Sequence, residues 1–170
     1  MKYTSPELLV RINGAEGEEA EALYDQWDAN ERAARAYYAE IKARLPPKLV
    51  QFAETLCLHD AEWMGLNVSP SHDGNRLDVA AINVRQQHNI ITLVYDLLEE
   101  PRWSGPEPAS RIWSEEQVIW LYDEIGLLND TTFTHEILLS NGKVLRLVFF
   151  QFNFSVSGTL SNIPRSALSA

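Results

Sequence analysis

The feature that most constrains the fold is a pair of strand-like runs, 133–140 and 143–156, that flank Asn141-Gly142. Asn and Gly tolerate the positive φ angles of a two-residue type I′ turn, so this dipeptide predicts a β-hairpin. Counting outward from that turn gives the pairs Leu139–Val144, Ile137–Arg146, His135–Val148 and Phe133–Phe150. One face of the predicted hairpin is apolar and carries Phe133, Ile137, Leu139, Val144, Val148, Phe150, Phe152, Phe154 and Val156.

Helical patterns fill the first third of the chain. Ser5-Pro6 is typical of a helix start, and we expect a short helix that ends near Ile12. Asn13 with Glu16 predicts the cap of a long helix over 16–45, along which apolar residues recur at steps of three and four. Pro46-Pro47 ends this helix, and a shorter one follows over 47–57.

Strand patterns follow at 64–68, at 77–84 with a bulge near Ala81, and at 91–97. Residues 118–125 favour a strand because they are β-branched and aromatic, although Ser114 and Gln117 would also suit a helix cap. Helices that precede strands indicate an α+β fold: a long and a short helix packed on a mostly antiparallel sheet of about six strands. The predicted division is a helical segment over 1–58, a sheet domain over 59–157 and a loosely held tail over 158–170.

The charge of the chain disfavours two classes of partner. The 170 residues contain 24 Asp and Glu against 14 Lys and Arg, a net charge of −10. Such a surface repels phosphate backbones and anionic lipid, so we expect no nucleic acid and no membrane among the partners. It permits a basic protein partner. The single cysteine, Cys57, is typical of a reducing compartment and predicts a cytoplasmic protein.

A polar site is predicted at His59, Asp60, Glu124 and His135. His59-Asp60 stands between the helical and strand patterns, where we expect either side chain to cap free backbone groups. No local spacing supplies the three or four ligands that a metal needs, so no metal or cofactor is predicted. Cys57 is expected to be buried and inert at an apolar helix end, so no catalytic residue is assigned.

The Asp123-Glu124 carboxylates would point to opposite faces of a strand, so they need partners from elsewhere, such as His59 or Glu136. The expected outcome is solvent contact for one carboxylate and a buried hydrogen bond for the other. His135 lies at the edge of an apolar face, where a hydrogen-bonded structural role is expected.

Aromatic residues suggest an interaction surface. Tyr24, Trp27 and Tyr38 lie on the long helix, and Trp103 and Trp113 flank a proline-rich loop. A helix over 16–45 would be ~45 Å long, whereas a compact domain of this size has a radius of gyration of ~15 Å. Its aromatic stripe therefore needs a cover, which is either the sheet or, in a homodimer, the same helix of a second copy.

Three segments carry a resemblance: Leu58-His-Asp-Ala61, Trp120-Leu-Tyr-Asp-Glu124, and Phe133 through Leu139-Ser-Asn-Gly142. From Leu58 onward the chain resembles small bacterial α+β domains of unknown function, some of which occur among toxin-immunity proteins. The resemblance implies an antiparallel sheet, a bacterial cytosolic protein and a non-catalytic role, and it assigns no catalytic residue.

Two functions follow as expectations. The first is a non-enzymatic module that binds another protein through the long helix or the loop between Trp103 and Trp113. The second is a small hydrolase or ligand-binding protein with its site at His59, Asp60, Glu124 and His135.

Overall fold

A computed structural model gives the structure of the chain and describes residues 1–70, 78–105 and 117–158. The described residues form an α+β fold in which helices precede an antiparallel sheet, as predicted. The predictions that concern Trp113, Ser114 and the tail after Gly158 lie outside these ranges.

The helices are α1 (Pro6–Gly14), α2 (Glu18–Ile41, continued by a 3-10 turn over Lys42–Arg44) and α3 (Pro47–Thr55). Ser5 caps α1 as predicted, because its hydroxyl oxygen accepts a hydrogen bond from the Leu8 N–H at 3.1 Å. The predicted cap of the long helix is wrong, since α2 begins after Gly17, which has a φ of 60° that glycine adopts readily.

The strands are β1 (Glu62–Ser69), β2 (Val79–Gln86), β3 (Asn89–Leu97), β4 (Arg102–Ser104), β5 (Trp120–Asn129), β6 (Thr132–Leu139) and β7 (Val144–Ser157). Their order in the sheet is β1-β2-β3-β7-β6-β5, and β4 pairs with the first residues of β7. The strand over 118–125 is confirmed as the start of β5. The bulge predicted near Ala81 is wrong, since β2 pairs without interruption with β3, and the irregularity lies between Trp63 and Gly65 of β1.

The turn between β6 and β7 has three residues rather than two, so the predicted register is wrong by one position. The Leu139 carbonyl accepts from the Gly142 N–H at 2.9 Å, and the Leu139 N–H donates to the Lys143 carbonyl at 2.9 Å. Gly142 has a φ of 78°, whereas Asn141 is not among the residues with positive φ. This geometry is a type I turn closed by a glycine bulge. Phe133 therefore pairs with Phe149, and His135 pairs with Leu147.

A second irregularity, in the middle of β7, changes which side chains face inward. Gln151 pairs with Asp96 of β3, but Leu97 pairs with Phe149, so Phe150 is an extra residue in the strand. Phe149 and Phe152 are consequently both buried. Because Phe150 is the extra residue, the aromatic side chains on the two sides of the bulge reach one core.

The sheet curls until its two edge strands touch. The Trp120 N–H donates to the Ala61 carbonyl at 2.8 Å, and the Trp63 N–H donates to the Val118 carbonyl at 2.9 Å. The curl encloses a core that α3 closes at one side through Leu49 and Phe52, and the fully buried sheet residues include Ile82, Leu93, Tyr95, Trp120, Ile137, Leu147 and Phe149. Each side chain of this size stabilises the fold by about 1.5–3 kcal/mol when it is buried.

Helix α2 is covered along part of its length by its own sheet. Trp27 packs edge-on against Tyr122 of β5, with ring centroids 5.0 Å apart. The Tyr37 hydroxyl accepts a hydrogen bond from the Leu127 N–H at 3.2 Å. Nearer its start, α2 buries Leu23 against α1. At 24 residues the helix is ~36 Å long, shorter than the predicted span.

Candidate functional site: a cleft along the edge of β5

A chain of hydrogen bonds runs from the core toward the surface at β5. The Tyr95 hydroxyl lies 2.8 Å from His135 Nδ1, and His135 Nε2 lies 3.0 Å from Asp123 Oδ2. The other carboxylate oxygen of Asp123 accepts from the Trp120 indole N–H at 3.0 Å. Tyr95, His135 and Trp120 are fully buried, whereas the Asp123 side chain keeps 28% of its surface exposed.

The imidazole tautomer with its proton on Nε2 satisfies every donor and acceptor in this chain. In that tautomer the Tyr95 hydroxyl donates to Nδ1, and Nε2 donates to Asp123. Burial, reinforced by the negative charge of Asp123, raises the pKa of Tyr95 well above its ordinary value of 10.0, so the phenol keeps its proton. The rings of Phe52, Tyr95 and Trp120 lie 5.7–5.9 Å from the imidazole of His135 and exclude water from it. The result is a rigid support that fixes the direction of one carboxylate.

Asp123 opens into a cleft of about 720 Å³ between the helices and β5. This volume lies within the range of small-molecule pockets. One wall consists of α2 and the start of the chain, a second of α3 and the segment 56–59, and the floor is the whole stretch 121–128 of β5. The principal aromatic and apolar lining residues are Tyr37, Tyr38, Phe52, Ala53, Leu56, Leu121 and Tyr122.

The other charged groups that line the cleft each have a partner among the described residues. Glu136 pairs with Arg146 at 3.6 Å, and Arg35 pairs with Glu31. The Lys2 ammonium lies over the ring of Tyr3, 4.9 Å from its centroid. Asp123 differs, because within the described residues its hydrogen-bond partners are an imidazole and an indole, and no Lys or Arg pairs with it.

Glu124, one of the predicted site residues, holds the start of the chain. Its carboxylate accepts from the backbone N–H groups of Lys2 at 2.7 Å, Tyr3 at 2.8 Å and Thr4 at 2.6 Å. Three N–H donors to one carboxylate form a set of charge-assisted hydrogen bonds. The strand alternation places Glu124 and Asp123 on opposite faces, as expected from the sequence.

His59 lines the cleft, and Asp60 lies beside it. His59 Nδ1 is 3.0 Å from the Asp60 carboxylate, and the His59 ring packs edge-on against Tyr122 with 5.1 Å between centroids. Asp60 has a φ of 66°, an uncommon conformation for a residue other than glycine. The expectation that Cys57 is buried is wrong. Cys57 is exposed, because α3 ends at Thr55 and the chain that follows is extended.

The structure therefore places the four predicted residues in three separate groups. His59 and Asp60 pair with each other, Glu124 binds backbone N–H groups, and His135 joins Asp123 and Tyr95. Sequence reasoning missed Asp123 and Tyr95 as the partners of His135. The sequence signal that identifies Asp123 is a hairpin between β5 and β6. Its register sets Ile125 opposite His135 and puts Asp123 two residues away on the same face.

The predicted interaction residues are dispersed. Tyr24 is 57% exposed and Trp103 is 46% exposed, and these two lie on α2 and β4 respectively. Trp27 is half-buried against Tyr122. Tyr38 lines the cleft, and its buried hydroxyl has no hydrogen-bond partner within the described part of the chain. Of these residues, Tyr38 is the one that belongs to the cleft.

Within residues 1–70, 78–105 and 117–158, no group of three or more His, Cys, Asp or Glu side chains is placed to hold a metal ion. The helices of those same ranges include none that is long and apolar enough to cross a membrane. No known protein family matches the chain, and no curated protein matches it significantly.

Proposed function

We propose that this protein is a non-catalytic interaction module whose cleft binds a basic segment of a partner protein. The observation that carries the proposal is the Asp123 carboxylate, which the His135 imidazole and the Trp120 indole fix in direction at the floor of the cleft. A carboxylate in such a setting attracts a cation more strongly than one in bulk water, because the surrounding apolar wall lowers the local dielectric.

The aromatic lining supports the same occupant. Tyr37, Tyr38 and Tyr122 line the cleft, and aromatic faces attract ammonium and guanidinium groups. Tyrosine and arginine are also the residues that contribute most often to binding energy in protein interfaces. A net charge of −10 favours encounters with basic partners over acidic ones. The resemblance to immunity-like domains suggests a toxin as the partner, and this more specific role is part of the proposal.

The test compares two variants with the same change of charge. Asp123→Asn removes the carboxylate in the cleft, and Asp25→Asn removes an exposed carboxylate on α2, at least nine residues from the part that lines the cleft. Partners that are captured from the source cell by the unaltered protein and by Asp25→Asn, but not by folded Asp123→Asn, are the expected result. Equal capture by all three proteins would contradict the proposal.

A hydrolase or ligand-binding protein remains the alternative, and one observation favours it. A histidine held between a carboxylate and a hydroxyl is an arrangement that hydrolases use to orient a general base. Here the imidazole is fully buried and the hydroxyl belongs to a buried tyrosine with a raised pKa, so neither group reaches the cleft. Hydrolysis of ester or phosphate substrates that is lost in His135→Phe but retained in Tyr24→Phe would establish this alternative.

A further inference from the structure

Strand β5 is an edge of the sheet along most of its length, and the cleft follows that edge. The start of β1 and the residues before it are hydrogen-bonded to the start of β5 and the residues before it. The last residue of β5 in this pairing is Trp120, whose N–H donates to the Ala61 carbonyl. Beyond this point β5 has β6 on one side and the cleft on the other. Every residue from Leu121 to Leu128 lines the cleft, which is the pattern of a groove that runs parallel to a strand.

Two hydrogen bonds show which backbone groups face the cleft. The N–H groups of Trp120 and Leu127 point away from β6, toward Ala61 and the Tyr37 hydroxyl. The pairing with β6 is regular from Tyr122 to Leu127, and N–H groups in an antiparallel strand alternate in direction with a period of two. Ile125 and Asp123 therefore also direct their N–H and C=O groups toward the cleft.

These groups form a short row without a backbone partner among the described residues. Trp120 bounds the row at one end and Leu127 at the other. Asp123 taken as a whole residue is exposed, whereas its side chain has only 28% of its surface exposed. Part of the exposed area therefore belongs to its main chain. An edge strand with free N–H and C=O groups is a template for another strand, and proteins use such edges to bind extended peptides.

We propose that the partner binds by strand addition: an extended basic segment pairs with β5 between Asp123 and Leu127 and places a Lys or Arg side chain against the Asp123 carboxylate. This inference rests on the proposed function and adds the mode of binding to it. The free stretch from Asp123 to Leu127 spans ~13 Å, which suits a segment of about four or five residues. Backbone hydrogen bonds supply affinity, and the cation at Asp123 supplies selectivity and register.

The experiment selects peptides from a random heptapeptide phage library on the intact chain and measures their affinity by fluorescence anisotropy. We expect peptides with a Lys or Arg whose replacement by Gln weakens binding about tenfold, as does Asp123→Asn. Each peptide is then synthesised with single N-methyl groups along its backbone. Methylation at alternate positions removes a donor to β5 and is expected to weaken binding about tenfold, whereas the intervening positions change it less than about threefold.

A second measurement detects the pairing of a peptide with β5 directly and leaves the protein unaltered. Amide hydrogen exchange at Asp123 and Ile125 slows when a peptide pairs with their edge, and exchange at Gly126, which faces β6, stays unchanged. Slower exchange at both residues, together with the alternating effect of N-methylation, is the supporting result.

Three outcomes separate this inference from the function on which it rests. Peptides that depend on Asp123 but tolerate methylation at every position would overturn strand addition and leave the proposed function standing. Selected peptides that bind the unaltered protein and Asp123→Asn equally would overturn both. A dimeric mass by light scattering, with Ile125 already protected from exchange in the absence of peptide, would overturn the inference in favour of a second copy at this edge.

Discussion

Hydrogen bonds between buried side chains determine what single substitutions do in the core of this protein. Tyr95 and His135 are fully buried and 2.8 Å apart, so the loss of either leaves the other with an unsatisfied polar group. We expect Tyr95→Phe and His135→Phe each to lower the free energy of unfolding by about 1–3 kcal/mol. The double variant is expected to lose about 1–2 kcal/mol less than the sum, because neither partner is left alone.

Urea denaturation of the four proteins measures this cycle. Tyr24→Phe is the control, since that ring is 57% exposed and its change is expected to stay within about 0.5 kcal/mol. Effects of Tyr95→Phe and His135→Phe that simply add would mean that the two side chains do not depend on each other.

The same tyrosine predicts how stability depends on alkaline pH. Burial, and then the charge of Asp123, raises the pKa of Tyr95 well above 10.0, while the unfolded chain releases this proton near 10.0. The unfolded state therefore binds fewer protons than the folded state above that pH, so the free energy of unfolding falls as pH rises. Tyr95 contributes a slope of about 1.4 kcal/mol per pH unit.

Denaturation curves between pH 8 and pH 11.5 test this linkage. Tyr95→Phe is expected to make the alkaline decline shallower by one proton, with a residual slope from Tyr122 and Tyr38, whose pKa values burial also raises. An unchanged slope in Tyr95→Phe would show that the phenol is not sequestered.

At the scale of the element, one glycine determines the turn between β6 and β7. Gly142 has a φ of 78°, where a Cβ atom is disfavoured, whereas Gly14 ends α1 with no positive φ and no atom within 4 Å of an added Cβ. Gly142→Ala is expected to cost about 1–2 kcal/mol. Gly14→Ala is expected to be neutral or to stabilise by up to about 1 kcal/mol, because it reduces the entropy of the unfolded chain. Thermal denaturation of the two variants compares them, and equal effects would contradict the turn geometry.

The elements themselves could be predicted because their signals are local. Ser5-Pro6 begins α1, Pro46-Pro47 separates α2 from α3, and the alternation over Ile91–Leu97 forms the buried face of β3. The register could not be predicted from Asn141-Gly142, because type I′ turns and three-residue loops with a glycine bulge accept the same dipeptide. The bulge at Phe150 depends on the pairing of β7 with β3, which no local pattern records.

For the molecule as a whole, the candidate site depends on contacts between residues that are distant in sequence. Tyr95 reaches His135 because β7 lies between β3 and β6 in the sheet. The cleft exists because the segment after α3 leads into β1, which meets β5 only at its start. The sequence around His135 predicts a hydrogen-bonded structural role for it, whereas the strand order makes Asp123 its partner. The sequence therefore indicates which residues are polar in the core, and the topology decides which of them meet.

The charge of the whole chain and the charge of the cleft predict different kinetic effects on a basic partner. A net charge of −10 acts over a Debye length of about 10 Å at 0.1 M salt and governs encounter, whereas Asp123 acts in contact and governs release. We expect the association rate to fall about tenfold or more between 0.02 M and 0.5 M salt. Asp123→Asn is expected to raise the dissociation rate about tenfold and to change association less than about twofold.

Surface plasmon resonance of the captured partner, or of a selected basic peptide, separates the two rates. Asp25→Asn makes the same change to the net charge at an exposed position, so its association rate should match that of Asp123→Asn while its dissociation rate matches the unaltered protein. An effect of Asp123→Asn that appears only in the association rate would mean that this carboxylate attracts the partner from a distance and does not contact it. The cleft would then be a consequence of the curl of the sheet, and the recognition surface would have to be sought among the exposed aromatic residues, Tyr24 and Trp103.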